Sequence, residues 1–393
     1  MAYIPHSEED RQVMLDRIGV DSIDDLFVEI PSDLKLDREL NVPARMDEHT
    51  LFGHLKGLSE QNVDLTRTTC FLGAGIYDRF IPASVGAVIS RGEFLTAYTP
   101  YQPEASQGYL QTIYEFQTMV AELYGMDLAN ASMYDAGTSM AEAALMATGI
   151  TKRNKVTVSD AVHPHYREIL ATYCWSMGVE VESVSSSGGV TSDFSSMDEE
   201  SACVMVQYPN FFGVIEDLAA ARKAADERGA LLIVVADPTA MGILPPPSEF
   251  GADIVVGEGQ PLGIPMGYGG PLLGLFACKK EYARLIPGRI VGRTTDEQGR
   301  NGYTMTLRTR EQDIRRERAT SNICTNEALM ALASTVYMSA VGKNGLKSVA
   351  ETTVRNTQYA MKVLSESGGT VKYDGKVFGE FVLSLPKPAK VVQ

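Results

Sequence analysis

Ala136-Gly137-Thr138-Ser139 heads the amphipathic stretch AGTSMAEAALMATG and could offer backbone N–H groups to an anion. His163 follows the apolar run KVTVSD, Asn210 follows ACVMVQYP, and Asp237 ends ALLIVVAD. An anion cradle, a flat imidazole and a carboxylate, met in that order, can hold a phosphate, stack on an aromatic ring and pair with a ring nitrogen. Each residue also has an ordinary reading. A strand-end Asp commonly caps a turn, a single His commonly makes a structural hydrogen bond, and Ser139 with Glu142 reads as a capping box regardless. Together, on successive strand ends, they describe the ring, phosphate and nitrogen contacts of a pyridoxal pocket.

Such a pocket also needs a lysine to form the Schiff base. Its place is after the next strand, DIVVGEG, where the chain reads Gly257-Glu258-Gly259-Gln260-Pro261-Leu262-Gly263-Ile264-Pro265. Between Lys155 and Lys279 the only lysine is Lys223, among alanines and charges in AAARKAADERG, a solvated helix face. Lys279 and Lys280 lie beyond the following strand. The amide of Gln260 cannot form an imine, so this chain's own pocket is expected to carry no covalent pyridoxal chemistry.

The elements that must position these residues follow from periodicity. SEEDRQVMLDRIG and MDEHTLFGHLKGLSEQN are apolar at helical spacing, and GYLQTIYEFQTMVAELYG is an amphipathic helix closed by Gly125. From about residue 137, short apolar strands (KVTVSD, VEVESVS, ACVMVQYP, ALLIVVAD, DIVVGEG, GPLLGLFAC) alternate with helices, which predicts a doubly wound α/β domain with a mainly parallel sheet. After residue 290 the chain turns polar and basic; its Arg308, Arg310, Arg315, Arg316 and Arg318 read as a solvated face paired with Glu311, Asp313 and Glu317, or as a docking strip for an acidic partner. Two helices and a hairpin over TVKYDGKVFGEFVLSLP follow. The expected divisions are an N-terminal helical segment 1–65, a large α/β domain 66–320 and a small C-terminal domain 321–393.

Composition narrows the function. The formal charge of −15 disfavours nucleic acid and anionic membrane surfaces as partners. The five cysteines lack CxxC spacing and read as separate buried or inert thiols in a reducing compartment, with no metal site. MAYIPHSEEDRQVML has no apolar core of a signal peptide, no apolar run approaches the roughly 20 residues of a membrane helix, and a cytoplasmic protein is expected.

TPYQPEASQG (Thr99 to Gly108), YEFQTMVAELYGMDLANASMYDAGTSMAEA, YPNFFGVIEDL, ADPTAMG and RRERATSNICTNEAL resemble the glycine decarboxylase P-protein family of the glycine cleavage system, along essentially the whole chain. The chain is similar to subunit 1, the α-subunit, of the family's split form. The resemblance implies fold type I, aspartate-aminotransferase-like, with a small α+β C-terminal domain that is incomplete here, because members continue past the FVLSLP strand. It implies a non-catalytic subunit. The β-subunit (subunit 2) carries His-Lys-Thr where this chain has Gly259-Gln260-Pro261, and holds pyridoxal phosphate in an α2β2 assembly. That assembly decarboxylates glycine and passes the aminomethyl group to lipoyl H-protein, with T-protein and L-protein as pathway partners. Tyr98, Tyr101, Gln102 and Gln107, with Thr320, Ser321 and Asn322, are candidates to reach the partner's active site. The alternative is a purely structural or regulatory subunit. In either reading Gly137, Thr138, Ser139, His163, Asn210, Asp237 and Gln260 are expected to form a degenerate pocket of this chain's own.

Overall fold

A computed structural model describes residues 5–70, 73–97, 100–308, 312–319, 321, 323 and 326–386. The chain divides into two units, Met1–Thr68 and Thr69–Gln393. The first holds helices α1 (Glu8–Ile18), entered through a Ser7/Asp10 capping box, and α2 (Glu48–Ser59), capped by Asp47. No described residue of this unit is buried. Leu51, Phe52, Leu55 and Leu58 line one side of α2 in the open, so the unit has apolar surface but no core of its own.

The second unit is built on a seven-stranded sheet. Its strands are β1 (Leu128–Ala129), β2 (Lys155–Ser159), β3 (Glu180–Val184), β4 (Ser201–Tyr208), β5 (Leu231–Ala236), β6 (Ile254–Glu258) and β7 (Gly274–Cys278). Their order is β1-β7-β6-β5-β4-β2-β3, parallel from β3 to β6, with β7 and β1 antiparallel at one edge. Strand β5 shows why the sheet is covered on both faces. Leu232, Val234 and Ala236 enter one core cluster, and Leu231, Ile233 and Val235 the other, as a two-residue period requires.

Short helices α3 (Ala83–Ile89) and α4 (Gly92–Leu95) precede α5 (Gln107–Tyr124). Helix α5 and helix α8 (Leu218–Arg228) feed the first cluster; α6 (Ala136–Thr151) and α7 (Pro164–Met177) feed the second. The phenol of Tyr124, fully buried, donates to Ala236 O at 2.9 Å at the end of β5. Tyr124→Phe is expected to cost about 1–2 kcal/mol in urea unfolding, the value of one buried hydrogen bond and the carbonyl it leaves short of a partner.

The polar stretch after residue 290 contains an element that its composition hides. Strands β8 (Val291–Thr295) and β9 (Asn301–Met305) form an antiparallel hairpin, turned at Asp296 to Arg300. A short helix α9 (Gln312–Arg315) follows. Arg308 pairs with Asp313 at 2.8 Å and Arg318 lies 3.8 Å from Glu317, so these cations have local counterions; Arg310 and Glu311 lie outside the described residues. Helix α10 (Ala328–Glu366) is broken at Gly342, whose φ of 59° and ψ of −175° leave the helical region, giving the two expected helices.

The expected C-terminal hairpin is realised only at its ends, β10 (Thr370–Val371) against β11 (Leu383–Ser384). Its middle is stitched to the loop after β4 instead: Val377 bridges Val214, Ile215 N donates to Lys376 O, and Phe378 N donates to Gly213 O. Cys174, Cys203 and Cys278 are buried, and burial pushes the Cys174 thiol up to about 11; Cys70 is exposed. Cys324 lies outside the described residues. Among the described residues no helix is long and apolar enough to cross a membrane.

Candidate functional site

The carboxyl ends of β2, β4, β5 and β6 converge, as ligand sites in open parallel sheets do. Helix α6 begins there at Ala136, one residue after its cap. Asp135 Oδ1 accepts from Thr138 N at 2.7 Å, and Thr138 Oγ1 accepts from Asp135 N at 3.2 Å. The capping box is therefore Asp135 with Thr138, not Ser139 with Glu142. Ser139 instead donates its hydroxyl to Asp135 O at 2.7 Å, and Glu142 is buried further along the helix.

The amide that opens α6 already has a carboxyl acceptor. Glu258, at the end of β6, accepts from Ala136 N at 3.2 Å through Oε2 and from Gln260 N and Leu273 N, both at 3.0 Å, through Oε1. Burial pushes this carboxyl up to about 7 against the pull of the three N–H donors.

Gln260 stands in the lysine's expected place and is 1% exposed. Its Nε2 donates to Tyr77 O at 3.0 Å and Ile264 O at 2.7 Å, and its Oε1 accepts from Tyr77 N at 3.0 Å. The amide is fully engaged in tying residues 77 and 264 together.

His163 caps α7. Its Nδ1 accepts from His165 N at 3.1 Å, so Nε2 carries the proton and donates to Ala74 O at 2.9 Å. Burial lowers its basicity, in keeping with an Nδ1 that accepts. Its face is covered by Tyr166, with ring centroids 4.4 Å apart and planes 18° from parallel.

Asp237 Oδ1 accepts from Thr239 N at 2.7 Å, and the residue lines the remaining cleft with Gly75, Tyr77, Tyr166, Glu258 and Pro261. That cleft measures about 40 Å³, room for a few waters. Asn210 is not part of it. Its Nδ2 donates to Gly189 O and Glu216 Oε1, and its Oδ1 accepts from Phe212 N and Val214 N, which uses the side chain to shape the loop after β4.

These residues do not fit a bound pyridoxal phosphate. The histidine face, the helix amide and the lysine position are each taken by the chain's own side chains.

A second group involves the other candidates. Tyr101 and Asn326 are joined side chain to side chain, Asn326 N donates to Tyr101 Oη at 3.3 Å, and Asn326 Nδ2 donates to Ala131 O at 2.7 Å. The Arg289 guanidinium sits over the Tyr101 ring, 5.1 Å from its centroid. Gln107 binds Tyr303 N and O, both at 2.8 Å, which holds hairpin strand β9 against α5. Gln102 is exposed and its carbonyl takes the N–H of Ala105 and Ser106. The buried Ser321 hydroxyl lies beside Glu142, whose carboxyl burial pushes up to about 7. Tyr98, Thr320 and Asn322 lie outside the described residues. The sequence reading missed Tyr77, Tyr166, Glu258 and Asn326; Glu258, an acid inside an otherwise apolar strand, was the one visible signal.

The architecture is that of fold-type-I pyridoxal-phosphate enzymes, with this chain's own pocket filled. A cysteine desulfurase from Thermococcus onnurineus shares the fold at a TM-score of 0.57 and 18% identity, over 79% of this chain and 77% of that one. The chain belongs to the glycine cleavage system P-protein family, whose model matches residues 1–392. Among its relatives is the probable glycine dehydrogenase (decarboxylating) subunit 1 of Desulforamulus reducens, 51% identical over 396 residues, covering 100% of this chain and 89% of the relative. A solved glycine decarboxylase (P-protein) of the glycine cleavage system, in inhibitor-bound form, superposes with a TM-score of 0.93 at 44% identity, over 100% of this chain and 89% of that one.

Proposed function

We propose that this chain is the non-catalytic α-subunit of a split glycine decarboxylase, active only with the β-subunit (subunit 2) in an α2β2 assembly in the cytoplasm. The observation that carries the reading is Gln260. A buried, fully hydrogen-bonded amide stands where the Schiff-base lysine would be. The names of its relatives, which specify a subunit 1, support a second subunit. The uncovered apolar residues of Met1–Thr68 suit a chain that packs on another.

In this reading the partner binds pyridoxal phosphate, which supplies an electron sink for the pair left when glycine loses its carboxyl. The aminomethyl group then passes to the lipoyl arm of H-protein, with T-protein and L-protein acting later. This chain's part is positional: Tyr101, held by Asn326, and the exposed Gln102 reach toward the partner's site. A purely structural subunit is the second reading, favoured by the way Gln107 spends its amide on Tyr303.

The test is glycine–bicarbonate exchange by this chain alone and after co-expression with subunit 2. Exchange is expected only from the pair, and borohydride treatment of the chain alone with pyridoxal phosphate should leave no stoichiometric lysine adduct. Turnover by the chain alone overturns the reading.

A further inference from the structure

We propose that Tyr166 and Glu258 are a built-in substitute for the cofactor, the phenol occupying the place of the pyridine ring and the carboxylate that of the phosphate. This deepens the non-catalytic reading of the same pocket, yet does not depend on any second subunit. Loss of a lysine alone would not close such a pocket, because ring and phosphate contacts can seat a cofactor without a covalent bond.

In this chain both sets of contacts are used internally. Tyr166 lies parallel on His163 at 4.4 Å, the arrangement a stacked pyridine would adopt. The phenol is seated against backbone that lacks side chains. A Cβ on Gly75 would stand 3.2 Å from Tyr166 Oη, and one on Gly137 3.3 Å from Tyr166 Cδ1. Glu258 gathers three N–H donors, from Ala136 at the head of α6, Gln260 after β6 and Leu273 before β7. An N-terminal amide flanked by two further amides is an anion site, and here its anion is covalently part of the chain. The substitute also explains how the strand ends stay bonded to one another: the single carboxylate ties β6 to α6 and to the approach to β7.

The probe that isolates this idea is pyridoxamine 5′-phosphate, which presents the ring and phosphate but needs no lysine. In equilibrium dialysis, the unmodified chain is expected to show no saturable binding of pyridoxamine 5′-phosphate or of inorganic phosphate up to millimolar concentration. The Tyr166→Ala/Glu258→Ala double variant, checked for folding by circular dichroism, is expected to bind both and to gain melting temperature with ligand concentration. Glu258→Ala alone, a smaller disturbance, is expected to gain phosphate binding only.

Saturable binding of pyridoxamine 5′-phosphate to the unmodified chain overturns the proposal, whether or not any variant folds. So does a folded Glu258→Ala variant that remains blind to phosphate. Neither result touches the non-catalytic reading, which falls instead to a borohydride-reducible lysine adduct.

Discussion

In the proposed two-subunit enzyme, Tyr101→Ala is expected to lower glycine–bicarbonate exchange on the order of a hundredfold, while the cofactor absorbance assigned to the partner stays in place. Tyr101 is the point where three segments meet. Its hydroxyl is bound to Asn326, just before α10; Asn326 in turn holds Ala131 O at 2.7 Å; and Arg289 lies over the ring. Removing the side chain takes away the hydrogen bonds and the cation–π contact together and frees the 100–106 loop. A displacement of about 1 Å at a reacting geometry suffices for a loss of about a hundredfold. Tyr101→Phe keeps the ring under Arg289 and removes the hydrogen bonds, so a smaller loss is expected, about tenfold for about 1.4 kcal/mol. Unchanged rates in both variants would favour the purely structural subunit.

The fold was legible where burial imposes a period. The six residues of β5 are all buried and alternate between two core clusters, which a continuous apolar run bounded by helices already implies. Hairpin β8–β9 was not legible, because its outer residues Arg293, Thr294 and Thr295 are polar or exposed and the strand signal is drowned. His163, Asp237 and Gln260 could be named as candidates because each follows a strand, and strand ends can be counted along a chain. Tyr166 and Glu258 were not, because their roles exist only across the sheet. Tyr166 is one more aromatic residue in an amphipathic helix until the fold lays it on His163, and Glu258 meets Ala136 across 122 positions of sequence. Asn210 shows the reverse error. Its position after β4 is right for a pocket, but the loop's unpaired N–H groups claim its side chain first.

Glu258→Gln is expected to flatten the fall in stability of this protein between about pH 4.5 and pH 7. Burial raises the Glu258 carboxyl from 4.5 to about 7, so in that window the folded chain holds a proton that the unfolded chain has released. Stability from this group is therefore fully present below pH 4.5 and is lost as pH rises through 7. At roughly 1.4 kcal/mol for each pH unit of displacement, the loss is about 3 kcal/mol. Glu142, raised to about 7 by its own burial, and Glu216, Glu327 and Glu380, also raised by burial, run in the same direction and stay in the variant, so part of the slope should survive. Tyr124 and Tyr166 face Glu258 but are themselves pushed well above 10 and stay protonated throughout. The Glu258→Gln variant would present an amide N–H₂ to one of the three donors, a cost that is the same at every pH. The readout is thus the slope of urea-unfolding free energy against pH, measured at pH 5, 6, 7 and 8, rather than its value at any one pH. Exposed carboxylates such as Asp47 and Asp64, held low first by hydrogen bonds from Thr50 and Thr66, contribute identically to both proteins and cancel in the comparison. Equal slopes would mean that Glu258 is ionised across the whole range, its three N–H donors outweighing its burial.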